Sequence, residues 1–195
     1  MSLDLYLELG WLPRPPDDIS AQIKAARNAE HDIGSLLQRL AGFGLDELKL
    51  NKLAAIHNKA VATAKDLAPL TPLKLAIVSN TTTAFLEPII VATGLRHGFS
   101  LQVETAPFGQ VFQALLDPSS SVYAADPDLI FVALDHHGLA LDVGLGDADA
   151  AEASVSGALD QLENLRTAIE QNSNAVAIFQ TVARPPEPVF GSLDL

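Results

Sequence analysis

The sequence contains no cysteine, one methionine, one tryptophan and two tyrosines in 195 residues. The missing cysteines exclude a disulfide scaffold, a thiolate zinc centre and a cysteine nucleophile. Positive charge is scarce as well: 12 lysines and arginines stand against 24 acids, a net charge of −12. Nucleic acid and anionic membrane both require clustered bases, so neither is expected as a main partner. No apolar run approaches the ~18 residues of a membrane span. The opening residues MSLDLYLELGWLP carry acids where an export signal carries bases, so the chain reads as cytoplasmic. What is present is apolar: 48% hydrophobic and 18% charged residues exclude disorder and suffice for a core.

The scarce bases are unevenly placed. Residues 1–70 hold eight of them against nine acids, whereas residues 71–195 hold four against fifteen. The asymmetry predicts two regions with different jobs. After the extended lead-in LPRPPDD, apolar residues from Ile19 to Leu40 recur at helical spacing, weakest around Asn28–Asp32. A second helix is expected from about Leu45 to Leu67, with Leu45, Leu48, Leu53, Ile56, Ala60 and Ala64 on one face. Within its start, FGLDEL is similar to a carrier-protein attachment motif, but Glu47 stands where the serine belongs, so it reads as a helix start alone. Residues 1–70 are therefore a helical extension.

From residue 71 the pattern changes. LKLAIVS (73–79), GFSLQVE (98–104), LIFVAL (129–134) and AVAIFQTV (175–182) read as strands. Helical stretches are expected at 82–94, with Pro88 as a kink, at 108–116, and at 151–171 with Leu159, Leu162, Leu165 and Ile169 on one face. This β-α rhythm predicts an α/β domain over 71–195 built on a parallel sheet.

In such a sheet, ligands bind beyond the carboxyl ends of the strands. That rule selects three loops. SNTTT (79–83) supplies small polar residues at an expected helix start, which suits an anion or an oxyanion, or serves as a simple cap. TAPFGQ (105–110) contains Gly109, which permits close approach of a ligand or shapes a turn. DHHG (135–138) follows the most apolar strand; alternation of an extended chain lets one of His136 and His137 face the cleft, and the alternative is an ordinary surface loop. The ligands are too few for a metal site, and neither a phosphate-binding glycine-lysine motif nor GxGxxG occurs, so no metal and no cofactor are expected. His31, His57 and His97 are read as surface residues.

Three stretches carry a resemblance: LAIVSNTTTAFLEPII, ETAPFGQVFQALLDPSSSVYAADPDLIFVALD and AIFQTVARPPEPVFGSLD. Together with the lead-in LGWLPRPPDD, they resemble the amino-terminal region of FkbH-like proteins. The resemblance implies an SGNH-hydrolase-like, flavodoxin-like three-layer sandwich, preceded here by the helical extension. It also implies a neighbouring phosphatase-like domain of the haloacid dehalogenase superfamily, in proteins of which some make glyceryl units on acyl carrier proteins for polyketide assembly. Carried onto this chain, Ser79, Asn80 and Thr81 match the Gly-Asp-Ser block, which puts Thr81 at the nucleophile's place with Thr82 beside it. Gly109 matches the oxyanion glycine. Asp135, His136 and His137 replace the Gly-x-Asn block, with His137 at the asparagine. The Asp-x-x-His block that supplies the base is missing, as is the phosphatase motif Asp-x-Asp-x-Thr, so the α/β domain reads as incomplete at its C-terminus.

An unassisted threonine hydroxyl is a poor nucleophile, and general-base help is worth roughly 10²–10⁴-fold. The expectation is therefore a domain that recognises an acyl or glyceryl group on a carrier protein, or scaffolds the phosphatase-like domain, without full hydrolase chemistry. Carrier docking is expected through residues 1–70, because the acidic remainder would repel an acidic carrier. The alternatives are an active esterase or acyltransferase using Thr81 with His136 or His137 as base, and a purely structural self-association module.

Overall fold

The computed structural model describes residues 10–139, 141 and 147–182. Residues 1–9 and 183–195, which carry part of the resemblance, lie outside the described residues. The elements are α1 (Ile19–Arg27), α2 (Ile33–Ala41), α3 (Glu47–Ala62), β1 (Thr71–Ser79), α4 (Leu86–Arg96), β2 (Phe99–Thr105), α5 (Val111–Leu116), α6 (Ser121–Ala124), β3 (Leu129–Ala133), α7 (Ala148–Asn172) and β4 (Val176–Phe179). A 3-10 turn occupies His136–Gly138. The strands form one sheet in the order β2-β1-β3-β4. β1 pairs parallel with β3 from Leu75↔Leu129 to Ser79↔Ala133, and β3 pairs parallel with β4. The fold is thus α/β, a parallel sheet with flanking helices and an N-terminal helical region, as expected of a three-layer sandwich.

The chain divides into two compact units. One comprises Met1–Lys74 with Thr83–Val103, the other Leu75–Thr82 with Glu104–Leu195. The first is built on Ile19, Ile23, Ile33, Leu37, Leu40 and Leu53, all buried, with Leu95 of α4 in the same cluster. Helix α2 lies hard against the segment after α3: a Cβ on Gly34 would sit 2.0 Å from the Leu67 carbonyl oxygen. In the second unit, Val78, Leu115, Ile130, Val132, Leu165 and Ile169 form the core.

Four expectations are corrected. The helical stretch 19–40 is two helices, broken at Asn28–Asp32, where Asp32 takes a left-handed φ of 53° ahead of α2. Helix α3 is shorter than 45–67; it starts on the cap Asp46, whose carboxylate accepts the Lys49 amide, and leaves Leu48 exposed and Ala64 beyond its end. The helix expected at 82–94 begins at Leu86, so Pro88 falls in its first turn, where a missing N–H breaks no bond and causes no kink. His57 is not on the surface. It is fully buried on the inner face of α3, with Nε2 2.8 Å from Ser100 Oγ and Nδ1 3.0 Å from Asn58 Oδ1. Its burial lowers its pKa below the ordinary 6.5. His31 and His97 are exposed as expected.

Candidate functional site

The strand-end rule directs attention to the loops after β1 and β3, both in the second unit. β1 ends in a run of buried residues, so its last side chain, Ser79, is itself buried. A buried hydroxyl must be hydrogen-bonded, and Ser79 Oγ is saturated: it donates to the Ala133 carbonyl at 2.9 Å and accepts the Thr81 amide at 3.0 Å. Thr81 Oγ1 lies 3.0 Å from the same oxygen. Because the Ser79 proton is committed to Ala133, Thr81 is the donor in this pair. Thr81 is exposed, yet its proton points at a hydroxyl that cannot remove it. Among the described residues no histidine or carboxylate is hydrogen-bonded to Thr81.

Asn80 joins the two loops. Its Nδ2 donates to Asp135 Oδ1 at 2.5 Å, and its Oδ1 accepts the Asp135 amide at 3.1 Å. The second bond requires an oxygen on Asn80, which fixes the amide orientation. Asp135 Oδ1 also accepts the amides of His137 at 2.9 Å and Gly138 at 3.3 Å. Asp135 thus caps the 3-10 turn, as an aspartate does at a turn start. The hydrogen bond from Asn80 holds the Asp135 carboxyl below its ordinary range, with the two backbone amides and His137 adding to the effect. The group is therefore an anionic acceptor at neutral pH, with Oδ2 not engaged among the described residues. His136 and His137 sit side by side, ring centroids 3.9 Å apart and tilted by 39°. One ligand atom from each of Asp135, His136 and His137 lies within 4.8 Å of the others.

The network joins Ser79, Asn80, Thr81, Asp135 and His137. Thr82 and Gly109 take no hydrogen bond in it. Gly109 has φ +71° in the turn closed by the Gln110 amide on the Pro107 carbonyl, and a Cβ there would meet nothing within 4 Å. Its left-handed backbone accounts for the glycine through the turn. The participant not singled out from sequence is Gly138. A Cβ on it would lie 2.6 Å from Leu134 Cδ2 and 3.0 Å from Asn80 Cγ, so the glycine lets the loop pack close over Asn80 without displacing either side chain. The signal was the Asp-x-x-Gly spacing of 135–138, which suits a capped turn.

The model of a family described as "FkbH, N-terminal domain" matches residues 74–193. No curated protein matches. Among solved structures, the N-terminal part of the protein BF1531 from Bacteroides fragilis, containing a phosphatase domain and complexed with magnesium, is similar at a TM-score of 0.56 and 23% identity. The likeness covers 76% of this chain and 36% of that one, so the chain spans well under half of its neighbour's length, and at this identity the likeness speaks for the fold. No helix among the described residues is long and apolar enough to cross a membrane. With well over half its residues matched by the family model, the chain belongs to the FkbH N-terminal domain family.

Proposed function

We propose that the domain recognises an acyl or glyceryl group presented on a carrier protein, next to a phosphatase-like catalytic domain, and does not hydrolyse it. The observation that supports this most is the hydrogen bond from Thr81 to the saturated hydroxyl of Ser79. At the nucleophile's place of an SGNH-like fold, it gives the threonine no base. The surroundings suit binding instead. The Asn80–Asp135 clamp holds the His136–Gly138 turn, and the anionic Asp135 offers Oδ2 as an acceptor for a ligand hydroxyl. Asn80, Thr81, Thr82, Gly109, Asp135, His136 and His137 form the proposed cleft, and Ser79 supports it from beneath.

The test has two arms. The chain is assayed with a p-nitrophenyl ester and titrated with a glyceryl-loaded acyl carrier protein. The reading predicts no turnover above the Thr81→Ala variant and saturable binding that weakens at least about tenfold in Asn80→Ala, which loses the two hydrogen bonds that hold Asp135 and its turn in place. Ester turnover abolished by Thr81→Ala would establish an esterase. Absence of carrier binding with the fold intact would leave a structural role.

A further inference from the structure

The second observation lies in the first unit, on the outer faces of α1 and α3. Ser20, Ile23, Lys24 and Arg27 of α1 follow i, i+3, i+4, i+7 spacing, and so do Lys52, Ala55, Ile56 and Lys59 of α3. This spacing puts each set on one helix face. The two sets line one open groove of about 530 Å³. Its floor is apolar, formed by Ile23, Ala55 and Ile56, and its rim carries four exposed cations. In a chain with 12 bases and 24 acids, one third of the bases line a single groove. Among the described residues none of the four makes a side-chain hydrogen bond or salt bridge. Asp46 acts on Lys52 only at longer range and is bonded to Lys49.

Unpaired cations flanking an apolar floor ask for an anionic, amphipathic occupant. Lys52 and Lys59 stand two helical turns apart, about 10.5 Å along the axis. Carboxylates seven residues apart on a partner helix have the same spacing, and the apolar ridge between them fits the floor. Nucleic acid fits less well, since four cations on a protein of net charge −12 neutralise few phosphates. We infer that this groove docks an acidic amphipathic helix of a partner protein. Identifying that partner as the carrier rests on the function proposed above; the basic groove itself does not.

The experiment measures binding of glyceryl-loaded acyl carrier protein to the full chain by fluorescence anisotropy. It compares wild type, Lys24→Glu combined with Lys59→Glu, and Arg14→Glu as a charge-reversal control outside the groove. All four groove cations are exposed, and circular dichroism checks that the variants fold. The expected result is at least about a tenfold loss in the double variant, a change within about twofold in the control, and weakening of wild-type binding with added salt. Carrier binding that survives the double reversal overturns the groove and leaves carrier recognition standing. Groove-dependent binding to phosphatidylserine vesicles without carrier binding overturns the inference in favour of a membrane surface. Failure of wild type to bind either probe overturns the carrier reading and the groove's assignment together.

Discussion

Ser79, not Thr81, is the residue on which the strand-end loop is built. Its hydroxyl serves the Ala133 carbonyl, the Thr81 amide and the Thr81 hydroxyl from a buried position. Ser79→Ala is predicted to cost about 1–3 kcal/mol, since it removes a hydrogen bond to a buried carbonyl and the acceptor of the Thr81 amide, whereas the exposed Thr81→Ala costs under about 1 kcal/mol. Urea midpoints of the two variants check the order. Asp135→Ala removes the turn cap and the partner of Asn80, with an expected loss of about 1–2 kcal/mol by the same measurement. His57 gives a pH signature. Burial depresses its folded pKa, so the unfolded chain binds a proton first as pH falls through 6.5. Stability is complete above that value and declines below it, by up to about 1.4 kcal/mol per pH unit. Stability measured from pH 7.5 to pH 5 checks this; His57→Gln is expected to flatten that part of the slope. The loop residues were legible in sequence because small polar residues after an apolar strand are conspicuous. His57 was not, because one polar residue on a helix looks the same whether its partner is water or Ser100, 43 residues away.

At the scale of elements, existence was readable and ends were not. All four strands stand where the sequence placed them; for the central β1 and β3 the reason is burial, which is written into their apolar, β-branched composition. The break between α1 and α2 showed as a weakening of the helical repeat, but weak periodicity alone does not separate a polar turn of helix from a stop. The left-handed Asp32 makes it a stop, and a backbone angle leaves no trace in periodicity. Four-residue α6 escaped because one turn has too few residues for a period. Gly34 belongs to this scale. It lets α2 touch the Leu67–Ala68 backbone, and a backbone carbonyl cannot rotate aside as a side chain would. Gly34→Ala is predicted to destabilise the protein by about 3 kcal/mol or more, despite alanine's higher helix propensity. Thermal unfolding of this variant reads the effect; a rise in midpoint would mean that the contact is softer than it looks.

Over the whole molecule, the shortage of positive charge is the organising fact. The acid excess is concentrated from residue 71 onward, and that region carries the strand-end loops. The bases are gathered on the helices, four of them on one groove. In the reading proposed above, the helical region meets the partner by charge and the strand-end loops meet its cargo. The measurement that addresses this most directly is a backbone NMR map of the labelled chain, titrated with the glyceryl-loaded carrier and with the unloaded carrier. The account predicts that both carriers shift amides along α1 and α3, and that only the loaded one shifts Asn80, Thr81 and Asp135–Gly138. Loaded and unloaded carriers giving the same map, with the strand-end loops unmoved, would contradict it.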